Sequence, residues 1–107
     1  MIVSHKYQYI FLMTSKTAGT SIEISLSRFA GKDDVIPPLA TADEEYRKSL
    51  GFSSQNYILP RVHTPGNILK RLCGKRWPKQ KRFFNHMPAT EVRECVEQDV
   101  WNSYFKF

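Results

Sequence analysis

The apolar positions of this chain fall into short groups parted by glycine, proline and charge, and their spacing changes period along the sequence. In YQYIFLM, residues 7–13, aromatic and branched side chains run together and stop at a polar turn, the pattern of a buried strand. The following TSKTAGTSIEISL predicts a helix. Thr20 with Glu23 three residues on has the form of a capping box, and Ile22, Leu26 and Phe29 share one helical face. Ile22, Ile24 and Leu26 also alternate as in a strand, but the cap signal and Gly31 beyond the end favour the helix.

Residues 33–40, with Pro37 and Pro38, read as a loop. Thr41 and Glu44 form a second capping box, and the acid-first, base-later order of DEEYRK predicts a short exposed helix stopping at Gly51. Residues 56–59 predict a short strand before Pro60. Pro65 at a first helical position, then Ile68, Leu69 and Leu72 with Gly74 behind, predicts another short helix, and residues 75–82 a mobile loop. Pro88 opens a further helix with Val92, Cys95 and Val96 on one face, and WNSYFKF reads as the entry into another buried strand. Strands and helices in this alternation predict an α/β domain.

Length and composition narrow the class. With 107 residues and 41% hydrophobic content the chain suits one small folded domain or part of a larger one, with a modest core. The longest apolar run, residues 9–13, is far short of the roughly 20 residues a membrane span needs, and too short for the core of a secretory leader. The expectation is a soluble, cytoplasmic protein. Cys73 and Cys95 stand alone without a CxxC spacing. Buried or spare thiols are the expectation, rather than zinc gathered with His63 and His86 from distant loops.

Charge is distributed unevenly. Residues 1–60 balance six basic against six acidic side chains, whereas 61–82 hold eight basic and no acidic ones, against a net +6 for the whole chain. This loop-rich basic insertion should attract a polyanion or an anionic substrate, or be a solvated loop with no dedicated partner.

The turn at residues 14–21 carries the most chemistry. A strand, a polar glycine turn and a helix in that order form an anion site, because the first amides of a helix lack internal partners and the helix dipole is positive there. Gly19 lets the backbone approach a ligand closely, and Thr17, Thr20 and Ser21 offer hydroxyls to phosphoryl or sulfuryl oxygens. Lys16 adds a mobile positive charge. Neither GxxxxGK[ST] nor GxGxxG is present, and the hydroxyls could equally cap the helix above a solvated lysine.

The stretch SKTAGTSIE, residues 15–23, resembles the 5′-phosphosulfate loop of the sulfotransferase superfamily, in which PKTAGTS or PKTGGTS follows a strand; Ser15 replaces the usual proline. A second likeness runs from Phe84-Asn85-His86-Met87-Pro88-Ala89 through Val92 to residues 101–107. It resembles the segment before the 3′-phosphate motif RNPxxRxxS in the carbohydrate-type, Golgi-related and bacterial branch. That motif is not in the sequence, and the middle of the chain resembles nothing in the family.

The resemblance implies a P-loop-like parallel sheet flanked by helices, of which residues 1–107 would be the N-terminal portion, incomplete on its C-terminal side. It implies sulfuryl transfer from 3′-phosphoadenosine-5′-phosphosulfate (PAPS) to a hydroxyl of an acceptor, a glycan by branch, without a metal. Ser15, Lys16, Thr17, Ala18, Gly19, Thr20 and Ser21 would hold the cofactor. Lys16 would neutralise charge on the leaving phosphate, and His86 would be the base that takes the acceptor proton. The chain alone is expected to be inactive. Two other readings stand beside it: a non-catalytic basic module binding a glycan or nucleic acid through 61–82, and a kinase-like phosphotransferase, weakened by the missing lysine after glycine.

Overall fold

In the computed structural model, which describes residues 1–14, 18–60, 69, 72–74 and 80–107, the chain opens on a β-hairpin. β1 (Ile2–Ser4) pairs antiparallel with β2 (Tyr9–Phe11), setting Ile2 opposite Phe11 and Val3 opposite Ile10. The turn between them is tied down by Asp34. Its carboxylate accepts hydrogen bonds from the Ser4 hydroxyl at 2.8 Å and the amides of His5 at 2.7 Å and Lys6 at 3.1 Å. A third strand, β3 (Phe105–Lys106), runs parallel to β2 on its other side, so the sheet is mixed with order β1-β2-β3.

Period-2 alternation sends successive side chains to opposite faces of the sheet and divides the core. Met1, Val3 and Ile10 pack with Val35, Phe83, Met87 and Val92 on one side; Ile2, Phe11, Met13 and Ile36 pack together on the other. Helix α1 (Gly19–Ser27) lies against the second cluster through Leu26. Helices α3 (Ala89–Cys95) and α4 (Gln98–Ser103) bring Val92, Cys95, Val96, Val100 and Trp101 to the first. Helix α2 (Thr41–Ser49) follows the loop 33–40. The result is a small α/β domain with helices on both faces of its sheet, as the alternation of elements predicts. No helix among the described residues is long and apolar enough to cross a membrane.

Several expectations change in detail. The strand expected over 7–13 is shortened to three residues, and β1, which the sequence reading did not identify, supplies fully buried Ile2 and Val3. The sheet is not parallel throughout, because a four-residue turn can only return the chain antiparallel. Neither capping box forms: α1 starts on Ala18 and α2 on Ala40, with no side-chain cap at either. Glu44 instead accepts the amides of Leu39 and Ser54. The buried stripe of α1 is Gly19, Glu23, Ile24 and Ser27, while Ile22 and Phe29 are exposed.

Residues 56–59 form one isolated bridge, Ile58 to Arg82, rather than a strand. In the last segment Trp101 belongs to α4, and the strand that follows is not buried: Phe105 is 69% exposed on the sheet's outer strand. Helix α2 does stop at Gly51 (φ 88°), where the Phe52 amide donates to Arg47 and the Gly51 amide to Lys48, closing a Schellman turn. Of the helix expected behind Pro65, only Leu69 and residues 72–74 are described: the Cys73 amide donates to the Leu69 carbonyl before Gly74 (φ 77°). The rest of that helix, and most of 75–82, lies outside the described residues.

Candidate anion-binding turn and its surroundings

Strand β2 runs into the polar turn and the turn into α1, in the order that favours an anion. Ala18 takes the left-handed conformation (φ 50°, ψ 20°), bending the chain sharply into the helix. Its carbonyl accepts the amides of Ser21 at 3.2 Å and Ile22 at 3.4 Å, which are therefore engaged. The amides of Gly19 and Thr20 lead the helix, with no preceding intrahelical acceptor. Ser21 is exposed and Thr20 half-buried, so their hydroxyls stand at the positive end of α1, while Gly19 is buried. Free amides and hydroxyls at a helix start suit a tetrahedral oxyanion in general. Ser15, Lys16 and Thr17 lie outside the described residues.

Gly19 has a different reason from the one its sequence context suggests. A Cβ there would stand 2.6 Å from Met13 Sδ, inside the packed junction of β2 and α1. Glycine is required for close strand-to-helix packing, whatever a ligand needs on the other side.

Beneath the turn lies a buried charge network. The Met1 ammonium donates to Glu23 Oε2 at 2.9 Å, both groups fully buried. Arg47, also fully buried, donates through Nη2 to Glu44 and to the Pro37 carbonyl. Glu23 Oε1 and Arg47 Nε and Nη1 have no hydrogen-bond partner among the described residues. Burial pushes the Glu23 carboxyl above its ordinary range, against the opposing pull of the Met1 ammonium, Arg47 and His86. Burial likewise pulls the Met1 ammonium down, with Glu23 opposing.

His86 sits in a left-handed turn (φ 59°) with its ring exposed and its amide donating to Asn85 Oδ1 at 3.1 Å. His5 has a partner, the Tyr104 hydroxyl at 2.9 Å. Cys73 and Cys95 are free thiols, and burial raises the second. Of the eight basic residues in 61–82, only Lys81 and Arg82 are described, both exposed.

Sequence reasoning did not find that Glu23 and Arg47 are buried. DEEYRK has the composition of a solvated helix, and only the tertiary approach of α1 and Met1 shows otherwise. The groove between α1 and α2, lined by Phe29 and Tyr46, was also missed. Its signal was present in the aromatic residues at 29, 46 and 52, beside charged neighbours that pointed to surface. No protein-family model, curated protein or solved structure matches the chain.

Proposed function

We propose that this chain is the N-terminal part of a PAPS-dependent sulfotransferase with a P-loop-like core, acting on a hydroxyl of a glycan. The observation that carries the reading is the junction of β2, a left-handed turn at Ala18 and α1, within a segment reading SKTAGTSIE. The parallel pairing of β3 with β2 supports it. Parallel strands end at one edge of a sheet, so β3 finishes beside the turn, where the Leu12 amide donates to the Phe107 carbonyl at 2.7 Å. In open α/β sheets that edge is where ligands bind.

PAPS, when bound, would supply an activated sulfuryl group. The amides of Gly19 and Thr20 and the hydroxyls of Thr17, Thr20 and Ser21 would hold its 5′-phosphate end, and Lys16 would offset negative charge there. His86 would accept the acceptor's proton. Positioning and electrostatics supply most of such catalysis. The contacts to the 3′-phosphate have no counterpart in this sequence, so these residues alone bind weakly and turn over little.

Scanning fluorimetry of a full-length version with 3′,5′-adenosine bisphosphate tests the reading. A rise in Tm is expected, since a ligand at 100 times its Kd stabilises by about 2.7 kcal/mol. Lys16→Ala should remove that rise; an equal rise in the variant takes Lys16 out of the site, and no rise in either ends the assignment. The acid-free basic segment 61–82 favours a second reading, a module that recruits a polyanion. On that reading heparin binding survives Lys16→Ala and disappears when Lys75, Arg76, Lys79 and Lys81 are neutralised.

A further inference from the structure

Helix α1 borders a second feature whose chemistry the turn does not use. With α2 it encloses a groove of about 800 Å³ that starts at Thr20 and Ser21 and continues along α1 to Arg28 and Phe29. Tyr46, Leu50 and Phe52 line it from α2 and the turn behind it. The volume is that of a small-molecule site. Phe29 and Tyr46 are 53% and 59% exposed and belong to neither core cluster. Aromatic surface left open together in a concavity marks a place where something binds.

Two charged side chains share the groove. Neither Arg28 nor Asp43 has an ion-pair or side-chain hydrogen-bond partner among the described residues. A guanidinium presents a planar fork of donors matched to a carboxylate or sulfate. A carboxylate only accepts, which suits it to hydroxyl groups. An apolar ring face, an anion acceptor site and a hydroxyl acceptor therefore meet in one cleft.

We propose that this groove binds a small ring-bearing acid, its ring face on Phe29 and Tyr46, its anionic group on Arg28 and a ring hydroxyl on Asp43. A sugar acid and a phenolic acid share that chemistry. Identifying the ligand as the sulfuryl acceptor rests on the function proposed above, because Thr20 and Ser21 belong to both sites; binding in the groove does not rest on it.

The test is a titration of this chain with glucuronate, with 4-hydroxybenzoate and with ring-free acetate, followed by NMR at the Phe29 and Tyr46 rings. One of the two ring acids should shift both rings saturably, and which one does so identifies the source. Arg28→Gln should weaken that binding at least tenfold, as should Phe29→Ala, whose exposed position leaves the cores untouched. The proposal is overturned if acetate shifts the rings as strongly, if neither ring acid does so at about 10 mM, or if both variants bind as the wild type. A separate titration of a full-length version with 3′,5′-adenosine bisphosphate keeps the two ideas apart. Its failure while the groove responds removes the donor site only, and the reverse removes the groove only.

Discussion

At the scale of single residues, two positions convert directly into measurements. Gly19 faces Met13, itself buried, so a methyl group there must displace the packed Met13 side chain. Gly19→Ala is expected to destabilise by about 1–3 kcal/mol, the usual cost of overpacking, read from urea midpoints at constant slope. Met13→Ala in the same background should recover part of that loss; strictly additive effects would show that the two do not compete for space. Asp34 supplies a pH-dependent term. Burial raises its pKa, but the hydrogen bonds from Gly31, Ser4, Lys6 and His5 outweigh it and hold the group below the ordinary 3.8. A lowered native pKa stabilises above the unfolded value and loses that contribution as pH falls through the native one. Asp34→Asn should therefore cost about 2 kcal/mol near neutrality and flatten the acid limb of a stability–pH curve. An unchanged limb would place the acid sensitivity in Glu44, whose pKa is also lowered. Glu23 acts in the opposite sense: its raised native pKa means stability falls as pH climbs above the ordinary 4.5.

At the scale of elements, α2 is anchored by the side chain that looks most soluble. Arg47 is fully buried and joins its own helix, through Glu44, to the Pro37 carbonyl of the preceding loop. Removing one partner of a buried pair leaves the other uncompensated, so Arg47→Ala should cost about 3–5 kcal/mol in chemical unfolding. Replacing both, Glu44→Gln with Arg47→Met, should cost less than the sum of the single changes. If the double variant is additive, the pair is not coupled and the cost of Arg47→Ala is only lost packing. The same logic explains why α1 buries a stripe containing a glutamate and a serine. The Met1 ammonium answers Glu23, and the Ser27 hydroxyl donates to the Glu23 carbonyl at 2.8 Å.

At the scale of the molecule, the sheet is protected on one side only. Val35 bridges to Val3 and so covers the outer edge of β1, but the outer edge of β3 has no strand beside it among the described residues. Phe105, Phe107, Tyr9 and Phe11 form a ring cluster there, with Phe11 and Phe107 centroids 5.4 Å apart. An open edge carrying exposed aromatic rings invites pairing with other chains. Phe105→Lys should reduce light scattering at high protein concentration while moving stability by less than about 0.5 kcal/mol. Unchanged scattering would put the sticky surface elsewhere.

What the sequence determined by itself was local: β2 from an apolar run, the existence of α1 between its polar turn and Gly31, α2 from its acid-to-base order and its stop at Gly51, and α3 from Pro88 and its Val92 face. Each follows from backbone preference and spacing over a few residues, which a linear pattern records. The tertiary structure decided which face of α1 is buried, that the sheet is mixed, that Arg47 and Glu23 lie inside, and that two helices enclose a groove. Those outcomes depend on groups distant in the chain, such as Met1 with Glu23 or Phe29 with Tyr46, meeting in a low-dielectric or concave setting. A charge is affordable in the core only once its partner arrives, and no local pattern encodes that arrival.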